Sequence, residues 1–297
     1  MKFAFLILAH KQIDLVYRQI DMLSHPDHHF FIHLDKKSNL NIKEKYSNKK
    51  NVHFTINRIR VNWGGFNMVR ATLNLIQEAM SSGNKFDYFI LMSGQCFPIK
   101  PTNYIRKFFK KNNGLSFIEL YPFLDEKSKA QGLDRFHFPA FFDQLSFILK
   151  DAHTIGNKTY SFKKRLSQII FRLFEKMRYR RKLPNGLTPC YGSQWWALHN
   201  TAIDYIMKYL TQSPEVHNFF KYTWAPDELF FQTIMYNSPL SKDIKPFSLW
   251  YIDWNTNGPS KTLDSDDIDA LIQSKALLAR KFDLNKSLDL IHKLEHL

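Results

Sequence analysis

The stretch Tyr88-Phe-Ile-Leu-Met-Ser-Gly-Gln-Cys-Phe-Pro98 is where the fold can be read. Tyr88–Met92 is an unbroken apolar run of strand length, and Ser93-Gly94-Gln95 breaks it with turn-forming residues. The same grammar of short apolar runs and helical stretches extends outward on both sides. Phe3–Leu8 reads as a strand, followed by a helix over about Ile13–Leu23. His29–Leu34 is a second strand, ending in His33-Leu-Asp-Lys-Lys-Ser38, and Val52–Thr55 is a third. Trp63-Gly-Gly65 is a turn, and Met68–Met80 is a helix with Val69, Leu73, Ile76 and Met80 on one side. A helix near Asn103–Lys110 and a strand at Ser116–Leu120 follow. This alternation predicts an α/β fold, a mainly parallel central sheet flanked by helices on both faces. Ligands in such sheets bind beyond the carboxyl ends of the strands, where His33–Ser38 and Ser93–Pro98 lie. No Gly-x-Gly-x-x-Gly or P-loop pattern follows any strand, which disfavours a dinucleotide-binding domain or an NTPase.

Composition narrows the class. The chain has 297 residues, 44% of them hydrophobic, enough for a large core. No repeat or low-complexity linker divides it, so the expectation is a single domain over 1–297 with one basic helical insertion. Two cysteines, Cys96 and Cys190, make no disulfide framework, and a reducing, cytoplasmic location is expected. The apolar start Met1–His10 is short and lacks a small-residue cleavage site, so it reads as a buried strand rather than a signal peptide. No apolar run approaches the roughly 20 residues that span a bilayer.

The formal net charge is +15, compatible with nucleic acid, an anionic membrane or an acidic substrate. Its distribution decides among them. Ten Lys or Arg and a single acid, Glu175, fall between Lys158 and Lys182. Leu166, Ile169, Ile170, Leu173, Phe174 and Met177 repeat there at helical spacing, with Arg165, Arg172 and Lys176 off the stripe. Two readings stay open: a basic amphipathic helix on anionic membrane, or a helix packed on the domain with a solvated basic face. Because the charge does not interleave with the aromatics, nucleic acid is not expected as a partner. A non-catalytic polyanion- or RNA-binding protein is the alternative.

Beyond Tyr191 the chain is orderly again, with a helix at Ala202–Leu210, a strand at Leu249–Trp254 and a helix at Ser265–Lys275. In Tyr222-Thr-Trp-Ala-Pro-Asp-Glu-Leu-Phe-Phe-Gln-Thr-Ile-Met-Tyr236, Pro226 suits the first turn of a helix. Leu229, Phe230, Phe231 and Ile234 then share a core-facing arc. Glu228 points away from that arc, in a first turn whose positive end favours the ionised carboxylate, a state able to accept a proton. A capping box does not account for it, since the residue three earlier is Ala225. Trp195, Trp196 and Trp224 supply aromatic surface of the kind on which sugar rings stack. The one Asp-x-Asp, Asp264-Ser265-Asp266, opens a helix and reads as a cap.

Six stretches in this order complete the picture: His33-Leu-Asp-Lys-Lys-Ser38, Trp63-Gly-Gly65, Ser93-Gly-Gln-Cys-Phe-Pro-Ile-Lys100, Gly192-Ser-Gln-Trp195, Ala225-Pro-Asp-Glu228 and Ala279-Arg-Lys-Phe-Asp283. Together they resemble the core-2/I-branching β-1,6-N-acetylglucosaminyltransferases and their relatives, the peptide O-xylosyltransferases. The resemblance spans about residue 3 to 285. It implies a GT-A-type (Rossmann-like) fold and an inverting transfer from a UDP-sugar, with no metal and no cofactor beyond that donor. By the same resemblance Glu228 is the catalytic base, and Asp35, Gln95, Arg280 and Lys281 belong to the donor site; Lys261, in a loop Asn255–Lys261 that differs from the family's, is a further candidate cation. Trp63, Gln194 and Trp195 line the sugar and acceptor side. Gln194 stands where the xylosyltransferases have Asp, so acceptor recognition is expected to differ. Without the extracellular members' many cysteines and membrane anchor, the chain looks like a bacterial-type enzyme. Its expected acceptor is a glycan or lipid-linked oligosaccharide, met at the inner face of the cell membrane. N-acetylglucosamine is the favoured sugar, xylose the alternative.

Overall fold

A computed structural model describes residues 1–124, 132–141, 143, 169, 173, 176–177, 180–254 and 260–297. In chain order the strands are β1 (Phe3–Ala9), β2 (His28–Leu34), β3 (Val52–Phe54), β4 (Tyr88–Ser93), β5 (Phe97–Pro98), β6 (Ser116–Phe117), β7 (Tyr121–Pro122), β8 (Cys190–Tyr191), β9 (Trp196–His199), β10 (Ile244–Lys245), β11 (Trp250–Ile252) and β12 (Leu278–Arg280). The helices that position the site are α1 (Ile13–Met22), α2 (Asn67–Ser81), α3 (Thr102–Lys111), α4 (Asp134–His137), α5 (Asn200–Gln212), α6 (Pro214–Phe220), α7 (Phe230–Tyr236), α8 (Ile268–Gln273) and α9 (Leu284–Glu295).

The main sheet has seven strands in the order β10-β6-β9-β4-β1-β2-β3. Its β4-β1-β2-β3 half is parallel, and β9 inserts antiparallel between β4 and β6. The mainly parallel sheet with flanking helices therefore agrees with the sequence. All seven residues of β1 are buried, because parallel neighbours close both edges and helices cover both faces. Phe30 and Phe31 alternate across β2, and burying each contributes roughly 1.5–3 kcal/mol.

A second sheet, β11-β12-β5, sets the geometry of the site. In it β12 runs antiparallel to β5, with Ala279 opposite Phe97, so Arg280 emerges beside the turn that ends β4. An apolar cluster of Leu15, Phe97, Phe282, Leu290 and Ile291 seats this sheet between α1 and α9. The carboxyl ends of β1, β2, β4 and β12 are thereby gathered on one side.

Some boundaries differ from expectation. The Ser116–Leu120 strand is only two residues, and Leu249–Trp254 contributes only Trp250–Ile252. The helix expected from Pro226 is split: Pro226–Glu228 forms one 3-10 turn, Leu229 leaves helical geometry, and α7 begins at Phe230. Ala225 precedes the turn at φ +46°, so the chain enters from the left-handed region and cannot run straight into α7. The apolar arc survives this break, with Leu229, Phe230, Phe231 and Ile234 all buried. Of the basic stripe, Arg165, Leu166, Ile170, Arg172 and Phe174 lie outside the described residues. Among the described residues no helix is long and apolar enough to cross a membrane.

Candidate active site

Glu228 ends the Pro226–Glu228 turn and is not in the first turn of α7, so the expected dipole of that helix is not what holds it. The correction is an ion pair. Arg135 of α4 donates from Nη1 to Glu228 Oε2 at 2.8 Å. Its side chain is 10% exposed while that of Glu228 is 44% exposed, so a buried cation holds a carboxylate open to solvent. The Arg135 guanidinium also lies 5.8 Å from the Trp224 ring centroid.

Trp224 meets Trp63 edge to face, centroids 6.3 Å apart. Trp63 is 71% exposed, an open aromatic face next to the carboxylate. Close backbone approach builds this shelf. Ala225 N–H donates to the Gly64 carbonyl at 2.9 Å, and Gly64 has φ +76°. A Cβ on Gly64 would sit 3.0 Å from the Trp224 indole, so the Trp-Gly-Gly turn needs its glycine both for conformation and for space.

The Gly192–Trp195 loop packs beneath. Gly192 N–H donates to the Glu228 carbonyl at 3.0 Å, and a Cβ there would lie 2.1 Å from the Glu119 carbonyl oxygen. Glu119 Oε2 accepts from Ser193 N–H at 3.1 Å, and burial pushes its carboxyl upward despite that bond. Gln194 has a buried Nε2 with no partner among the described residues. Trp195 is buried, and the Arg280 guanidinium lies 4.7 Å from its ring centroid. Trp195 thus supports Arg280, whereas Trp63 is the ring that stays open.

Arg280 and Lys281 leave β12 at the centre of a cationic cluster. Arg280 Nε is buried without a partner among the described residues. Burial lowers Lys281, and its neighbours Lys11 and Arg280 lower it further against the pull of Asp283. Gln95 fixes their position: its Nε2 donates to the Phe282 carbonyl at 3.1 Å, and Phe282 N–H donates to the Gln95 carbonyl at 2.9 Å. The Gln95 side-chain amide is therefore engaged in a strut that positions the chain next to Lys281. Lys11 and Gln12, just past β1, hold Asp283 at 2.7 and 2.8 Å, and these bonds keep its carboxyl down at about 2.

Asp35, past β2, is buried; its N–H donates to the Ala9 carbonyl and its Oδ1 accepts from Lys37 N–H, both at 2.8 Å. Arg58 secures the turn through the carbonyls of Leu34, Asp35 and Ser38. His10 lies between the two groups. Desolvation and then Lys11 lower it, Asp35 opposes them, and Lys281 and Lys37 add to the lowering. Asp227 joins the clusters: burial, then Glu228, pushes it up to about 7, while Arg135 and Arg280 pull down.

The expected residues thus fall into two neighbouring groups, Glu228–Trp63–Gln194–Trp195 and Asp35–Gln95–Arg280–Lys281. Lys261 does not join the second, since its Nζ lies 2.6 Å from Asp267 Oδ1. Asp264 forms a capping box with Asp267 and pairs with Lys286 at 2.8 Å, in agreement with the cap reading of Asp-x-Asp. Sequence reading missed Arg135, which sits in an aperiodic region 93 positions from Glu228. It also missed His10 and Lys11, although their place directly after the first strand was a usable signal.

The family model for the core-2/I-branching enzyme matches residues 3–272. Among curated proteins, the chain is 26% identical to xylosyltransferase 2 of Rattus norvegicus over 264 residues, covering 86% of this chain and 27% of that protein. It is 25% identical to xylosyltransferase 1 of Homo sapiens over 266 residues, covering 86% and 24%. Against the xylosyltransferase of Ciona intestinalis it is 25% identical over 264 residues, covering 86% and 27%. The chain spans about a quarter of the length of these relatives.

Proposed function

The chain belongs to the core-2/I-branching enzyme family, and from that premise we propose an inverting, metal-independent glycosyltransferase. It moves a sugar, N-acetylglucosamine in the leading form, from a UDP-sugar to a hydroxyl of a glycan or lipid-linked acceptor. One observation supports this best: Glu228, held by Arg135 beside the open Trp63 face, adjoins the Arg280–Lys281 cluster through Trp195 and Asp227.

Trp63 and Trp224 stack the acceptor sugar. Glu228 takes the proton of the acceptor hydroxyl as its oxygen attacks the anomeric carbon from the face opposite the diphosphate. Arg135 engages Oε2, so Oε1 is the oxygen that receives the proton. The bond from the anomeric carbon to the diphosphate oxygen breaks, and its electron pair leaves with UDP. Lys281 and Arg280 compensate the charge growing there. Asp35 reads the uridine end.

The enzyme works in the cytoplasm, peripheral to the inner face of the cell membrane, where lipid-linked acceptors are met. A second reading, xylose transfer, is favoured by the names of the relatives. UDP release from UDP-N-acetylglucosamine and UDP-xylose separates the two and tests both. Glu228→Gln should lower turnover on the order of a hundredfold or more, with UDP affinity little changed. Wild-type turnover in that variant, or UDP release from neither donor, would overturn the proposal.

A further inference from the structure

Directly after β1 the chain turns through His10-Lys-Gln12, and the end of the strand touches both halves of the proposed donor site. On one side the Ala9 carbonyl accepts from Asp35 N–H at 2.8 Å. On the other, Lys11 Nζ donates to Asp283 Oδ2 at 2.7 Å and Gln12 Nε2 to Asp283 Oδ1 at 2.8 Å. Gln12 Oε1 in turn accepts from Leu284 N–H at 3.2 Å, so both ends of its amide grip the same stretch of chain. Gln12 makes these bonds from φ +50°, a left-handed backbone that glycine would adopt without steric cost. A glutamine held there points to a task for its side chain.

What the turn grips is itself fixed. Asp283 caps α9 by accepting from Asn285 N–H at 3.1 Å, and its own N–H donates to Ser287 Oγ at 3.0 Å. Lys281, two residues earlier, is bonded through both backbone groups: its N–H donates to the Lys261 carbonyl at 3.3 Å, and its carbonyl accepts from Leu263 N–H at 2.9 Å. The turn after β1 is thus coupled to Lys281 through a short, fully bonded connection. The Lys11 ammonium is committed to Asp283 within the protein.

We propose that Lys11, Gln12 and Asp283 are positioning residues that set the span between the uridine end at Asp35 and the diphosphate cations Arg280 and Lys281. Lys11 serves this clasp and is not itself a diphosphate ligand. The inference rests on the proposed donor reading of those two groups. A span fixed before binding lets the two halves of a nucleoside diphosphate engage together, so the joined ligand gains over its parts. A loosened clasp keeps each half-site and forfeits that gain.

The test titrates the whole chain and three variants with uridine, pyrophosphate and UDP. Gln12→Gly keeps the left-handed turn and removes the amide; Lys11→Met keeps the stem and removes the charge. Arg18→Ala opens the Arg18–Glu295 pair, 2.9 and 2.8 Å at the far end of α9, and controls for a mere loss of stability. Both clasp variants should bind UDP at least about tenfold more weakly, the scale of one lost hydrogen bond to a charged group. Uridine and pyrophosphate should bind to them as to wild type. Arg18→Ala should lower Tm and leave all three affinities unchanged. Circular dichroism like that of wild type shows each variant folded. A matching fall in pyrophosphate affinity in Lys11→Met makes Lys11 a phosphate ligand and overturns the clasp. So does wild-type UDP affinity in either clasp variant, an equal loss in Arg18→Ala, or a wild type that binds UDP no better than its halves. If the clasp variants behave as expected and no UDP-sugar releases UDP, the clasp stands and the transferase falls. UDP release with UDP affinity untouched by the variants does the reverse.

Discussion

Arg135 shows how much rests on one side chain. A hydrogen bond to a charged group is worth roughly 1.5–3 kcal/mol, so Arg135→Ala should lower kcat by about ten- to a hundredfold through a misplaced base. UDP affinity should hold, and Arg135→Lys should recover part of the loss; equal falls in kcat and UDP affinity would instead point to a collapsed site. Asp227 gives a prediction with a sign. Its folded-state value lies near 7, above the usual 3.8, so its penalty is full above about pH 7 and fades as pH falls toward 4. Asp227→Asn should raise Tm at pH 8, and the gain should shrink at pH 4.5. Gly192 is limited by space: Gly192→Ala must push against the Glu119 backbone at 2.1 Å, and strain of this kind commonly costs about 1–3 kcal/mol. Denaturant midpoints measure it.

At the scale of elements, the strut between the β4 turn and the end of β12 links stability to the proposed donor site. Gln95→Ala removes the side-chain bond to the Phe282 carbonyl and leaves that buried acceptor unpaired, a loss of about 1–3 kcal/mol. UDP binding should weaken with it, because Lys281 precedes the residue the strut holds. If UDP affinity in Gln95→Ala equals that of wild type, the strut does not position the cations. The 3-10 turn Ser265–Asp267, which Asp264 caps ahead of α8, makes the opposite case. Asp264→Ala should cost about 1 kcal/mol of stability as a lost cap, and transfer should continue in EDTA. Activity that dies in EDTA, returns with Mn²⁺ and is lost in Asp264→Ala would assign the motif to metal instead.

For the whole molecule, pH acts through buried histidines. His28 donates from Nδ1 to the Leu23 carbonyl and accepts at Nε2 from Arg106; His33 accepts at Nε2 from Ile59 N–H. Both rings are buried and function as neutral acceptors, and desolvation first of all lowers each to about 4. A lowered folded-state value contributes stability above the unfolded value near 6.5 that is lost as pH falls toward 4. Tm should therefore drop steadily between pH 6.5 and 4.5, against the smaller opposite trend from Asp227. A Tm flat over that span would show that these rings are not neutral acceptors. These histidines tie β2 to its surroundings, so acid should loosen the strand that leads to Asp35.

The sheet was legible in the sequence because burial on both faces of β1 and β4 demands unbroken apolar runs. The arc Leu229–Ile234 was legible for the same reason: helical burial imposes a period. Glu228 could be singled out because it lies in a turn whose local residues mark it, whereas Asp35, Arg280 and Lys281 could be named only through the family resemblance of the stretches that hold them. What the sequence did not carry was pairing across distance. Arg135 on Glu228, Gln95 on Phe282 and Lys11 on Asp283 join positions 93, 187 and 272 apart. A hydrogen bond leaves no periodicity in either partner, so only the packing of β5 against β12, and of α4 near the Pro226–Glu228 turn, decided these contacts. The split before α7 was likewise tertiary. Pro226 opens a helix by local preference, but the bond from Ala225 N–H to Gly64 holds the chain in a left-handed step that ends the turn at Glu228.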